Sequence, residues 1–194
     1  MIDMKKLLFV TLIAAFSTAA SAQGNINQGN IMIGGNLGFN SSKYGNSNSK
    51  SSSLFVSPNV GYFFINNLAG GLRVHFSNSK EESGSFEYSE TAFRLTPFVR
   101  YYFLPSSQKV NVFADAGYGF GSTKYKETGD PDVTQNVSGY TVSAGAAIFI
   151  VPSVALEIGL GYNSDKFKNA TERYNTIQAL AGLQIHLGGS GASK

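Results

Sequence analysis

The sequence predicts an all-β protein, an eight-stranded antiparallel up-and-down transmembrane β-barrel. Three observations predict it. Beyond residue 22, large apolar side chains recur at every second position in eight short runs, with small or polar residues between them. That is the period of a strand whose two faces meet different surroundings. Across roughly 45 positions on those apolar faces there is no Lys, Arg, Asp or Glu, although a charged content of 14% would place about six there; a charge at the midplane of a barrel's lipid face costs about 2–4 kcal/mol. The connections alternate between long polar segments and tight turns, the asymmetry of extracellular loops and periplasmic turns.

The N-terminus comes first. Lys5 and Lys6 precede a mostly apolar stretch over residues 7–20, and Ala20-Ser21-Ala22 offers a small-x-small cleavage site before Gln23. Residues 1–22 are therefore expected to be a cleaved secretory signal peptide, residues 23–187 the barrel and 188–194 a flexible tail. The apolar run falls short of the roughly 20 residues that a spanning helix needs.

Strands are expected at 30–40, 54–64, 68–77, 90–103, 110–121, 138–150, 154–163 and 174–187. The first shows Ile31, Ile33, Leu37 and Phe39 on one face, and the seventh Val154, Leu156, Ile158, Leu160 and Tyr162. Tight turns fall at Ile65-Asn66-Asn67, Pro105-Ser106-Ser107 and Pro152-Ser153. Ser, Asn, Lys and Glu dominate 41–53, 78–87, 122–137 and 163–173, which read as four long extracellular loops by composition. An even strand count leaves both termini in the periplasm.

The outward aromatics gather at strand ends. Phe39, Phe76, Tyr118, Phe120, Tyr140 and Tyr162 lie near the long loops, and Tyr62, Phe64, Tyr101 and Phe103 near the tight turns. Two girdles at two interfaces are what a membrane barrel needs. Two segments also repeat each other, Val56-Ser57-Pro58-Asn59-Val60-Gly61-Tyr62-Phe63-Phe64 and Leu95-Thr96-Pro97-Phe98-Val99-Arg100-Tyr101-Tyr102-Phe103. A closed barrel has no edge to shelter a proline, so a bulge or a local ladder break is expected at Pro58 and Pro97.

These Pro-x-Val-x-Tyr-aromatic-Phe units resemble the strand-plus-turn units of the small bacterial outer-membrane β-barrel family, OmpX-like and OmpA-barrel-like. So does Gly61-Tyr62-Phe63-Phe64-Ile65-Asn66-Asn67-Leu68-Ala69-Gly70. The resemblance covers roughly 30–187. It implies a Gram-negative outer-membrane location, outer-membrane lipid and lipopolysaccharide as surroundings, and the barrel-insertion machinery as an assembly partner. One departure is that Leu187, followed by a tail, stands where many members end in an aromatic residue.

The inward face carries the charges. Arg73, His75, Arg94, Arg100, Asp115, Glu157 and His186 form the expected polar network of the lumen, with many glycines between them. Asp115 is expected diagonal to Arg100, and Glu157 and His186 at similar depth near the periplasmic end. Arg interspersed with carboxylates is what a satisfied buried network requires. The expected work is a structural, surface-contact or adhesion role of a monomer, through its extracellular loops. A narrow channel for small solutes is the alternative, and a soluble lipocalin-like carrier a lesser one. No enzyme is expected: His75 with Ser77 is the only His–Ser pair near the outer rim. With no Cys, no thiolate metal site or disulfide framework exists. No cofactor is expected. A net charge of +3 without a basic cluster gives nucleic acid no footprint.

Overall fold

Eight strands close on themselves in sequence order, each antiparallel to the next: β1 (Ile31–Lys43), β2 (Ser49–Ile65), β3 (Leu68–Ser83), β4 (Phe86–Tyr102), β5 (Val110–Glu127), β6 (Val133–Val151), β7 (Val154–Phe167) and β8 (Tyr174–Leu187). The computed structural model describes residues 26–43, 49–83, 86–168 and 170–188. The expected signal peptide and most of the expected tail lie outside the described residues, as does the side chain of Phe39. Strand β1 closes the barrel against β8, from Ile31 opposite Leu187 to Asn36 opposite Gly182.

The tight turns sit where they are expected. Asn66 and Asn67 join β2 to β3, with Asn67 at φ 68°. Asn tolerates this left-handed conformation because its short side chain bonds locally. Pro152-Ser153 joins β6 to β7, and 103–109 join β4 to β5. In the last, the Asn111 side chain accepts from the Leu104 N–H at 3.0 Å and donates to its carbonyl at 2.8 Å.

The four long loops are a correction. Most of 41–53, 78–87 and 122–137, and the start of 163–173, is strand; the connections themselves span only 44–48, 84–85, 128–132 and 168–173. The ladder runs on because cross-strand polar pairs hold it. Lys80 reaches Glu87 at 3.0 Å, and Asn78 donates to Thr91 at 3.0 Å. Lys124 reaches Asp132 at 2.8 Å, and its hydrogen bond holds that carboxyl below the ordinary carboxylate range.

The prolines interrupt one ladder each. Pairing between β2 and β3 drops out between Val56↔Phe76 and Asn59↔Arg73, and between β4 and β5 between Leu95↔Phe120 and Phe98↔Gly117. The register is the same on both sides, so each is a break without a bulge. On the other side Pro58 still faces Gly35 and Pro97 still faces Leu72. The register shifts in these sheets fall elsewhere, at Phe63/Ile65 and Phe149/Val151 beside the tight turns.

The apolar faces point outward. Between the girdles, Val60, Val99, Val142 and Ile158 stand about half exposed, and no charged side chain shares that face among the described residues. Phe76, Tyr118, Phe120 and Tyr140 at one end, and Tyr62, Phe64, Tyr101 and Phe103 at the other, are likewise exposed, while Tyr162 is half-buried.

Candidate functional site

The lumen divides into two parts. Its periplasmic half is filled in two layers. The lower layer takes one side chain from each strand: Met32, Phe63, Ala69, Tyr102, Phe113, Phe149, Ala155 and His186, all buried. Tyr102, Phe113 and Phe149 follow one another on β4, β5 and β6, and the small Ala69 and Ala155 leave space for the rings to meet across the axis. The His186 ring lies 5.3–5.9 Å from those of Phe63, Tyr102 and Phe149. Beneath them, residues 26–30 fold across the mouth. Ile26 is fully buried and accepts from the Asn67 N–H at 2.8 Å, while the Gly29 N–H donates to the Phe63 carbonyl at 2.8 Å.

Above that layer lies a charged one. Arg100 is 1% exposed and is held by both carboxylates. Its Nη2 donates to Asp115 at 2.7 Å, and its Nη1 to Glu157 at 2.7 and 2.9 Å. Asp115 sits on the neighbouring strand directly opposite Arg100, not diagonal to it. Glu157 comes from β7, so Arg100 spans the lumen. Tyr102 donates to Glu157 at 3.2 Å, and Arg73 from β3 donates to Asp115 at 3.0 Å. Both guanidiniums lie over rings, Arg100 over Phe113 at 4.3 Å and Arg73 over Phe98 at 4.7 Å. Tyr102 touches both Glu157 and His186, but the two are not at one depth as expected: Glu157 lies opposite Gly182 in the charged layer, and His186 lies one layer below, beside Ser153.

The extracellular half is a cup of about 840 Å³. Arg94 crosses it to Asp165 at 2.6 Å. His75 lies on its wall, stacked against Phe55 at 5.8 Å. The His75 Nδ1 is paired with Ser57 Oγ at 2.7 Å, so the expected Ser77 is not its partner. Ser57 sits where Pro58 interrupts the ladder, opposite His75 in the register of β2 and β3. No carboxylate bonds to His75 among the described hydrogen bonds, so nothing completes a nucleophilic triad there. No cluster of metal-ligating side chains exists among the described residues.

The expected network residues thus form two groups. Arg73, Arg100, Asp115 and Glu157 are one bonded cluster, and Arg94 and His75 line the cup separately. His186 belongs to the aromatic layer. Sequence reasoning missed that layer, although Tyr62-Phe63-Phe64 and Tyr101-Tyr102-Phe103 carry aromatics on both faces at the tight-turn end. It also missed Asp165, which composition placed in a loop.

Such an arrangement, apolar outside, girdled by aromatics and plugged by charge within, defines a small transmembrane barrel of the Gram-negative outer membrane. The chain belongs to the family of the outer membrane protein beta-barrel domain, whose profile it matches over residues 8–188. Its fold is similar to that of Neisserial surface protein A (NspA), with 18% identity and a TM-score of 0.54 over 80% of this chain and 94% of that one. It is also similar to the outer membrane protein OprG from Pseudomonas aeruginosa, with 11% identity and a TM-score of 0.56 over 87% and 100%. At these identities the likeness is one of fold. No curated protein matches the sequence.

Proposed function

We propose that this protein is a monomeric, non-conducting barrel of the outer membrane whose work is done at the cell surface, by the strand extensions and loops above the outer girdle. One observation carries the reading: Arg100 bridges Asp115 and Glu157 across the lumen, above a buried and mostly apolar layer that His186 completes. An ion would have to displace a fully paired guanidinium and then cross that layer, and a buried charge stripped of its partner is strongly disfavoured. The surface half suits contact. Its outward face carries Lys166 and Arg173, cations suited to the phosphates of lipopolysaccharide, while Lys124 and Lys126 share Asp132. In this reading export uses the N-terminal leader and folding uses the barrel-insertion machinery. No catalytic role is assigned.

Planar-bilayer recording of the purified mature protein tests the closed lumen. No steady conductance above blank membranes is expected. Discrete, reproducible openings would overturn the reading in favour of a channel. Fractionation of the cell envelope, with unboiled and boiled gel samples, tests the location. A faster-migrating unboiled band in the outer-membrane fraction is expected, and a soluble periplasmic protein without a shift would overturn it.

A further inference from the structure

We propose that the extracellular cup binds a neutral, hydroxyl-rich ring compound, a mono- or disaccharide. This rests on the closed-lumen reading, since a cup with a floor retains what a pore would pass. Its volume of about 840 Å³ lies within the range of small-molecule sites.

Charge selects against anions. Two guanidiniums line the cup, Arg73 and Arg94, with two carboxylates, Asp165 and Glu90. Arg94 is already paired with Asp165, and Arg73 with Asp115 just below. An anion would be desolvated without a free cation to meet it, and would face the Glu90 carboxylate besides.

The two walls differ in a way that suits a sugar. On one side Tyr88 and Tyr125 lie 6.3 Å apart with their planes within 29° of each other, and Phe167 lies 6.5 Å from Tyr125, tilted to it by 53°. The near-parallel tyrosines make a platform for a flat C–H face, not a box around a quaternary ammonium ion. On the adjoining strands β2 and β3 stand the hydroxyls of Ser53, Ser57, Ser77 and Ser79. A hydroxyl both donates and accepts, and its hydrogen rotates to suit the partner. Facing a ring of alcohols, such a wall matches either sense of hydrogen bond.

The test uses the mature protein in a zwitterionic detergent, because glycosidic detergents carry sugar headgroups. Saturation-transfer NMR and calorimetry are run with glucose, galactose, N-acetylglucosamine, maltose and lactose, and with sulfate and tetramethylammonium as ionic probes. At least one saccharide is expected to bind saturably with Kd of about 1 mM or tighter. Tyr125→Ala should weaken it about tenfold, and Tyr125→Phe, which keeps the ring face, by less than about threefold. Each variant is first checked for the unboiled band shift; Phe167→Ala replaces Tyr125→Ala if the latter does not fold. Saturation by none of the five sugars, tighter binding of either ion, or undiminished binding by the alanine variant overturns the proposal. Liposome swelling in the same sugars separates the two readings. Sugar entry would overturn the closed lumen and with it the floor on which the site rests, whereas no entry and no binding would overturn the site alone.

Discussion

Arg100 concentrates the energetics of this barrel in one side chain. It sits at full burial between two carboxylates, and Asp115 also keeps a contact to Arg73 whereas Glu157 keeps only the Tyr102 hydroxyl. Buried ion pairs add little net stability over an apolar replacement, but removing one partner leaves an uncompensated charge. Arg100→Met should therefore cost about 3–5 kcal/mol in urea unfolding from lipid vesicles, most of it from stranded Glu157. Adding Glu157→Gln to that variant, with Asp115 left to Arg73, should recover more than half of the loss. A single variant costing less than about 1 kcal/mol would show that water already solvates the cluster.

The strands were legible where lipid selects their residues and illegible where it does not. Between the girdles every outward position must be apolar, so the period of two stands out and the tight-turn ends of β3, β5 and β7 fall where the sequence places them. Above the outer girdle both faces meet water. Ser49–Ser53, Ser77–Ser83 and Ser122–Glu127 then carry no alternation and look like loop, yet they pair in register. For the same reason Asp165, whose carboxylate crosses the cup to Arg94, was hidden from composition. Paired glycines were legible only as small residues. Gly145 of β6 faces Gly159 of β7, and a Cβ on Gly145 would collide with the Ile158 carbonyl oxygen and lie 2.9 Å from the Gly159 Cα. Gly145→Val should cost about 1–3 kcal/mol through overpacking and weaken the unboiled band. Ala146→Val, one residue on and pointing toward lipid, should stay within about 0.5 kcal/mol. Equal effects at both positions would place the crowding elsewhere.

Which solvent surrounds the barrel decides what its charges and loops are for. The apolar belt, the two girdles and the plugged lumen all assume that lipid covers the outer face from the level of Val154 to that of Tyr162. Ile158 lies midway between these and is 55% exposed. A charge there should feel the bilayer midplane, while one at Ser138, which accepts a hydrogen bond from the Tyr118 hydroxyl at the outer girdle, should feel mostly water. Ile158→Arg is expected to cost about 2–4 kcal/mol in vesicle-based unfolding, and Ser138→Arg about 0–1 kcal/mol. In a water-soluble barrel the order would collapse, because both side chains would simply extend into solvent. A near-zero cost at Ile158 would thus remove the membrane and the girdles together, and the cup and its floor would have to be read as the interior of a soluble carrier. A graded cost fixes the bilayer between the two girdles and leaves only the upper third of the molecule facing the outside of the cell.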